Sequence, residues 1–210
     1  MQDKRVAALF VLPDGPYSTI DYVDCWDEER DARLYDGSLP VVAHPPCSRW
    51  GRYWHGGPSA KVRRIKGDDA GCFAAALAAV RRCGGILEHP QASHAWTAFG
   101  INRPPYRGGW IAADLLGGWT CQVEQGHYGH RARKATWLYA FGVSELPELK
   151  WGPALNCSRL DDGFHSAEER RANPHRVGRN RLTQRECLET PRPFMELLLA
   201  LAQKQKQPAG

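Results

Sequence analysis

Short, wholly apolar runs separated by long polar stretches predict buried strands joined by loops and a few helices. Val6 to Leu12 is the first run, and Pro13-Asp14-Gly15-Pro16 turns the chain after it. Ile20 to Trp26 reads as a second strand, ending at Asp24 or Asp27, and the charged Asp27 to Tyr35 reads as helical. Val41-Val42-Ala43 predicts a third buried strand. Pro45 and Pro46 lack backbone N–H groups, so the chain must leave the sheet there in a stiff loop that delivers Cys47. Asp68 to Cys83 is the clearest helix, with Asp68 or Asp69 as cap, Phe73, Leu77 and Val80 on one face, and Gly84-Gly85 as its end. Ile86-Leu87 reads as a short strand closed by Glu88-His89-Pro90.

Strand, loop, helix and strand make a βαβ unit, whose crossover gives parallel strands. Cys47 and Glu88 are therefore expected at the same sheet edge, where open α/β sheets bind ligands. Further on, Ala92 to Phe99 predicts a short helix and 103–110 a loop. Trp119 to Val123 and Ala135 to Phe141 predict strands, either an antiparallel pair or two strands joined by a functional loop. Between them lies the polar, basic segment Gln125 to Lys134. Past Gly142 the pattern breaks: 156–186 is charged and irregular, Pro193 to Ala202 reads as a closing helix, and 204–210 as a frayed tail. The expected organisation is an α/β catalytic domain over 1–150, with a basic C-terminal segment and helix over 151–210 packed on it.

Composition narrows the class only a little. A hydrophobic share of 42% with eight tryptophans in 210 residues supports a real core. The net charge of +5 is compatible with an anionic partner and equally with an ordinary basic protein. No run approaches the roughly 20 apolar residues of a membrane span, and no secretory signal is expected. The seven cysteines, without a Cys-x-x-Cys pair, suggest free thiols in a reducing cytoplasm rather than a disulfide or zinc framework.

Candidate chemistry gathers around Cys47. It is either a buried structural thiol or a nucleophile whose pKa Arg49 and Arg52 would lower. A thiolate beside the Glu88 carboxyl suits covalent activation of a pyrimidine: the sulfur adds to C6, the acid assists at N3, and C5 becomes a carbon nucleophile. Such an acid must be partly protonated or strongly hydrogen-bonded, and burial would raise its pKa. Arg131, Arg133 or Lys134 would hold a phosphate or the base carbonyl. Around the loop 51–67, aromatics interleaved with Lys61, Arg63, Arg64 and Lys66 suit single-stranded nucleic acid, or simply a solvated loop.

His44-Pro45-Pro46-Cys47 resembles the Pro-Pro-Cys motif of DNA cytosine-5 methyltransferases. Leu87-Glu88-His89-Pro90 is similar to their Glu-Asn-Val motif, in the Glu-Asn-Pro form of compact phage-encoded members. Gln125 to Lys134, followed by Thr136-Trp137-Leu138, resembles the Tyr-Gly-His…Lys-x-Thr run of those members. Arg181-Leu182-Thr183-Gln184-Arg185-Glu186 is similar to a late motif of the family. The resemblance covers about 40–141. It implies a Rossmann-like, mostly parallel sheet with helices on both faces, truncated and without a target-recognition domain. It implies Cys47 as nucleophile, Glu88 at N3 and the exocyclic amine, and Arg131 and Arg133 near the base and its phosphate. Pro46, Arg49, His89, Lys134 and Thr136 are the candidate substrate contacts, and DNA or a pyrimidine nucleotide the expected partner, in a bacterial or phage setting. S-adenosylmethionine would be the cofactor, held by Phe10, Gly15, Asp24 and Asp27. Leu9-Phe10…Gly15-Pro16 keeps only Leu-Phe and one glycine of the family's first motif, Asp-Leu-Phe-x-x-Gly-x-Gly. Three other readings stand beside this one: related C5 chemistry with another donor, a non-catalytic nucleic-acid-binding protein on the same scaffold, and a metal site of His44, Cys47 and His55. In the leading reading no metal is expected.

Overall fold

A computed structural model describes residues 5–56, 63–155, 157–158, 167–172 and 182–204. Seven strands form one sheet: β1 (Val6–Leu9), β2 (Val23–Trp26), β3 (Val41–Ala43), β4 (Gly85–Pro90), β5 (Ile111–Ala112), β6 (Trp119–Glu124) and β7 (Ala135–Phe141). Their order is β2-β1-β3-β4-β7-β6-β5. The first four strands are parallel, while β4–β7, β7–β6 and β6–β5 are antiparallel. The architecture is thus α/β with a mixed sheet, half parallel where a mostly parallel one was expected. The 119–123 and 135–141 runs take the antiparallel alternative.

Alternating side chains of each strand feed two cores. Val6, Ala8, Val42 and Ile86 face one side, where they meet Phe194, Met195, Leu198 and Leu199. These belong to the C-terminal helix α5 (Arg192–Gln203). Ala7, Leu9, Val41, Ala43 and Leu87 face the other side and meet Phe73, Ala76, Leu77 and Val80 of α1 (Cys72–Cys83). Each fully buried Leu or Phe contributes about 1.5–3 kcal/mol, which makes α5 part of the fold's centre despite its distance along the chain. Three short helices complete the described chain: α2 (His94–Ala98), α3 (Ala167–Ala172) and α4 (Gln184–Leu188).

Several local expectations change for definite reasons. The first strand stops at Leu9 because the amides of Phe10 and Val11 both turn to the Trp26 carbonyl, with Phe10 left-handed at φ 60°. The predicted helix over 27–35 shrinks to one turn at Ala32–Leu34. Asp27 and Asp31 accept hydrogen bonds from the amides of Arg30 and Arg33, and this local bonding competes with helix. Helix α1 starts at Cys72 because Asp69 accepts from the Gly71 and Phe73 amides and from the Trp50 indole. Its end falls at Gly84, as expected. Gly85 then sets the β3–β4 contact: a Cβ there would stand 1.9 Å from the Val41 carbonyl oxygen. Strand β4 does not close at Glu88 but runs to Pro90, because β7 pairs with it past the point where β3 has ended. The arginines at 159, 176, 179 and 181, and Lys61, lie outside the described residues.

Candidate functional site: a thiol and a carboxylate at the carboxyl edge

The β3–β4 register ends at Ala43↔Leu87, so His44 and Glu88 are the next residues out on parallel neighbours. Glu88 is still in β4, paired with Leu138 of β7 on its other side. That position holds the carboxyl firmly. His44 Nδ1 lies 3.0 Å from Glu88 Oε2, and Gln125 Nε2 donates to Glu88 Oε1 at 3.3 Å. Both partners of the ion-pair contact are largely buried, with 13% and 12% of their side-chain surface left. Behind His44, its Nε2 sits 2.8 Å from the Tyr17 hydroxyl. Burial pushes the Tyr17 phenol well above its ordinary range, with the Glu88 charge adding to the effect. The phenol therefore stays protonated beside Nε2, and Nδ1 is the ring nitrogen that faces the Glu88 carboxyl. A hydrogen-bonded row thus runs from the segment after β1, through the one after β3, to β4.

The protonation states differ from those the sequence suggested. Burial raises the Glu88 pKa, but the His44 hydrogen bond and charge, with Lys134 and His89, outweigh it and hold the carboxyl below 4.5. The acid is a carboxylate at rest. Cys47 lies on the loop just beyond β3, and burial followed by the Glu88 charge raises its thiol above 9.0. The cation that opposes this is Lys134, not Arg49 or Arg52. The site therefore pairs a protonated thiol with an ionised carboxylate that acts on it electrostatically.

Gln125 is fully buried and ties the basic segment to this edge. Its Nε2 also donates to Thr136 Oγ1 at 2.9 Å, and Thr136 in turn donates to the Lys134 carbonyl. With Nε2 facing two acceptors, the amide orientation is fixed and Oε1 is left without a partner. An unpartnered buried acceptor beside a carboxylate is a ready place for a ligand's N–H. Thr136 is placed to position Gln125. Lys134, left-handed at φ 40°, donates to the Glu189 carbonyl, and burial lowers its pKa while the Glu88 and Cys47 charges oppose that.

Other candidates are placed elsewhere. Arg131 pairs with Glu186 of α4, and Thr183 and Glu186 form the reciprocal cap of that helix. The late motif, as far as it is described, is thus a helix start clamped to the basic segment. Arg133 keeps a buried Nε without a partner. His89 points into the α1 face, stacked on Trp96 and edge-on to Phe73, with Nδ1 2.7 Å from Ser93 Oγ. Burial takes its pKa down to about 4, so it is neutral. The Pro45 and Pro46 carbonyls act weakly on the ring, but neither reaches hydrogen-bonding geometry with Nε2. Pro46 is exposed and Arg49 half-buried, and Trp50 packs in the core against Phe73. His44 is committed to Tyr17 and Glu88, and His55 is exposed. Among the described residues no three His, Cys, Asp or Glu side chains gather as a metal would need.

At the β1–β2 end the residues expected to hold S-adenosylmethionine hold one another. The Gly15 amide donates to the Leu12 carbonyl, and a Cβ on Gly15 would lie 3.0 Å from that oxygen. Asp24 lies within β2, and its two oxygens accept from Arg30 and from the Trp26 indole. The Arg30 guanidinium lies over the Trp26 ring, 4.0 Å from its centroid. Asp27 follows β2 directly and accepts the Arg30 amide through Oδ1. Gly15 and both acids are thus taken up by neighbouring protein groups and form no glycine cradle, so the residues as placed do not fit the cofactor.

Sequence reasoning did not assign roles to Tyr17, to His44 in this row, or to Gln125. The His before Pro-Pro-Cys and the Gln opening the basic segment were visible signals, whereas Tyr17 had none. Comparison with protein-family models, curated proteins and solved structures found no match. No helix among the described residues is long and apolar enough to cross a membrane.

Proposed function

We propose that the protein activates a pyrimidine at C5 by adding the Cys47 sulfur to C6, with Glu88 managing the proton. One observation carries this reading: a protonated thiol and an ionised, hydrogen-bonded carboxylate share the carboxyl edge of two parallel neighbours. A carboxylate cannot protonate N3 from its resting state, so the proton comes from within the site. The Cys47 S–H bond breaks and its proton passes to Glu88 as the S–C6 bond forms. The C5=C6 pair shifts to C4–C5, the C4=N3 pair moves onto N3, and N3 takes the proton from Glu88. C5 is then an enamine carbon able to take an electrophile, and reversal regenerates thiol and carboxylate. The orphaned Gln125 Oε1 would accept an N–H of the bound base. Lys134 would hold positive charge near the forming thiolate.

The motif resemblance makes DNA the first substrate to test, with a pyrimidine nucleotide second. It also makes S-adenosylmethionine the first donor to test, although no step above depends on it. Incubation with DNA carrying 5-fluorocytosine, with and without S-adenosylmethionine, followed by intact-mass analysis, tests the reading. A protein–DNA adduct located at Cys47 and lost in Cys47→Ser is the expected result. Absence of an adduct on DNA and on 5-fluorinated nucleotides, together with full retention of a C5 deuterium label on the unfluorinated substrates, overturns it.

A further inference from the structure

We propose that the Tyr17–His44 arm is a positioning device for Glu88: it saturates one carboxylate oxygen from behind and leaves the other to Gln125 and the substrate. The proposal rests on the reading of Glu88 as the proton carrier of a pyrimidine site, but its geometry stands apart from that reading. His44 Nδ1 contacts Oε2 at 3.0 Å, Gln125 contacts Oε1 at 3.3 Å, and Tyr17 fixes the far side of the imidazole at 2.8 Å. The phenol and imidazole rings also pack against each other, with centroids 5.5 Å apart. The carboxyl thus cannot rotate without breaking bonds to two loops.

The arm also decides the carboxyl's charge. The titratable groups coupled to Glu88 are Tyr17 beyond β1, His44 and Cys47 beyond β3, Lys134 before β7 and, through the sheet from the opposite face, His89 in β4. Burial is the largest influence on Glu88 and favours the neutral acid, and the His44 contact is the largest influence against it. Without His44 the strongest influence against burial is gone, and the Glu88 pKa moves upward, toward pH values where the carboxyl would hold a proton of its own instead of taking one from Cys47. The pairing also links the segment after β1 to the reacting groups. A residue 71 positions before Glu88 holds the imidazole that supports it. This is how the β1 end of the sheet contributes to the site without touching the base.

The test reads Glu88 directly. Glutamate labelled with 13C at Cδ gives one carboxyl resonance per residue, and the resonance of Glu88 is the one missing in Glu88→Gln. The wild-type midpoint is expected below 4.5. In His44→Ala it moves upward, and in His44→Asn, which keeps an N–H donor toward the carboxyl, it moves back down. Tyr17→Phe, which removes one oxygen and keeps the ring packing, is expected to raise the midpoint by less than His44→Ala and remains informative if His44→Ala does not fold. An unchanged midpoint in His44→Ala overturns the proposal, or in Tyr17→Phe if that is the variant that folds; an unchanged midpoint in Tyr17→Phe alone removes Tyr17 from it. In parallel, the acid limb of the rate of adduct formation should move upward in pH in His44→Ala, with kcat affected more than KM. If the wild type forms no adduct and leaves the C5 deuterium label in place, the pyrimidine reading fails while the midpoints still decide this proposal.

Discussion

The two halves of the parallel sheet's carboxyl edge treat their polar groups in opposite ways. Beyond β1 and β2 the polar groups expected to hold a ligand are closed on neighbours. Asp24 is divided between Arg30 and Trp26, the Phe10 and Val11 amides share the Trp26 carbonyl, and Gly15 folds back on Leu12. Beyond β3 and β4 the groups are held just as firmly, but each supporting contact comes from behind and capacity is left over. Glu88 is charged, Cys47 carries a proton it can lose, and Gln125 Oε1 has no partner. The difference separates polar residues that stabilise a surface from polar residues prepared for a reaction, and hydrogen-bond saturation tells them apart better than residue type does.

Substitutions can break this contrast. Glu88→Gln should have the largest effect. The amide keeps the shape and its oxygen can still accept from one of the two neighbours, His44 or Gln125, but it cannot carry a proton. Loss of general acid–base assistance predicts a fall on the order of 10²–10⁴ in the rate of adduct formation, read by quenched mass spectrometry. A fall below tenfold would place the proton elsewhere.

A middle effect belongs to the buried neighbour on the opposite face. His89 has a depressed folded pKa of about 4 against 6.5 unfolded. Its contribution to stability is therefore fully present above pH 6.5 and is lost as pH falls through the folded value. Between pH 7 and pH 4 the wild type should lose about 3 kcal/mol more than His89→Gln, measured by urea unfolding at each pH. Parallel losses in the two proteins would mean that His89 is not held neutral.

The smallest effect is expected at the closed end. Arg30→Ala removes a half-exposed ion pair with Asp24 and the cation over Trp26, together about 1 kcal/mol in thermal unfolding. The rate of adduct formation should stay within about twofold of wild type, since no reacting group is touched. A large loss of activity would show that the β1–β2 end does more than hold itself together.

What could be read from the sequence was whatever lies close along the chain or repeats with a period. Phe73, Leu77 and Val80 marked α1, the apolar runs marked β1 and β3, and the βαβ pattern placed Cys47 and Glu88 at one edge. What could not be read depends on distant pairing. The antiparallel insertion of β7 beside β4 extends β4 past Glu88, and nothing within 85–90 announces it. The Tyr17–His44 bond joins residues 27 apart through two loops. The charge of Glu88 followed from distant pairings: burial alone points upward, and the His44 contact, with Lys134 and His89, turns it downward. The expected thiolate failed for a related reason. Arg49 and Arg52 are close to Cys47 in sequence, but the charges that act on its sulfur are those of Glu88 and Lys134.

The central claim is that the Cys47 sulfur adds reversibly to C6 of a pyrimidine, and C5 hydrogen exchange reads that step without any donor. Addition makes C5 exchangeable, so a substrate deuterated at C5 should lose its label to water. The account predicts label loss from cytosine in DNA or from a pyrimidine nucleotide, abolished in Cys47→Ser and strongly slowed in Glu88→Gln. Label retained on every pyrimidine substrate with the wild-type protein, or lost equally fast with Cys47→Ser, would contradict it.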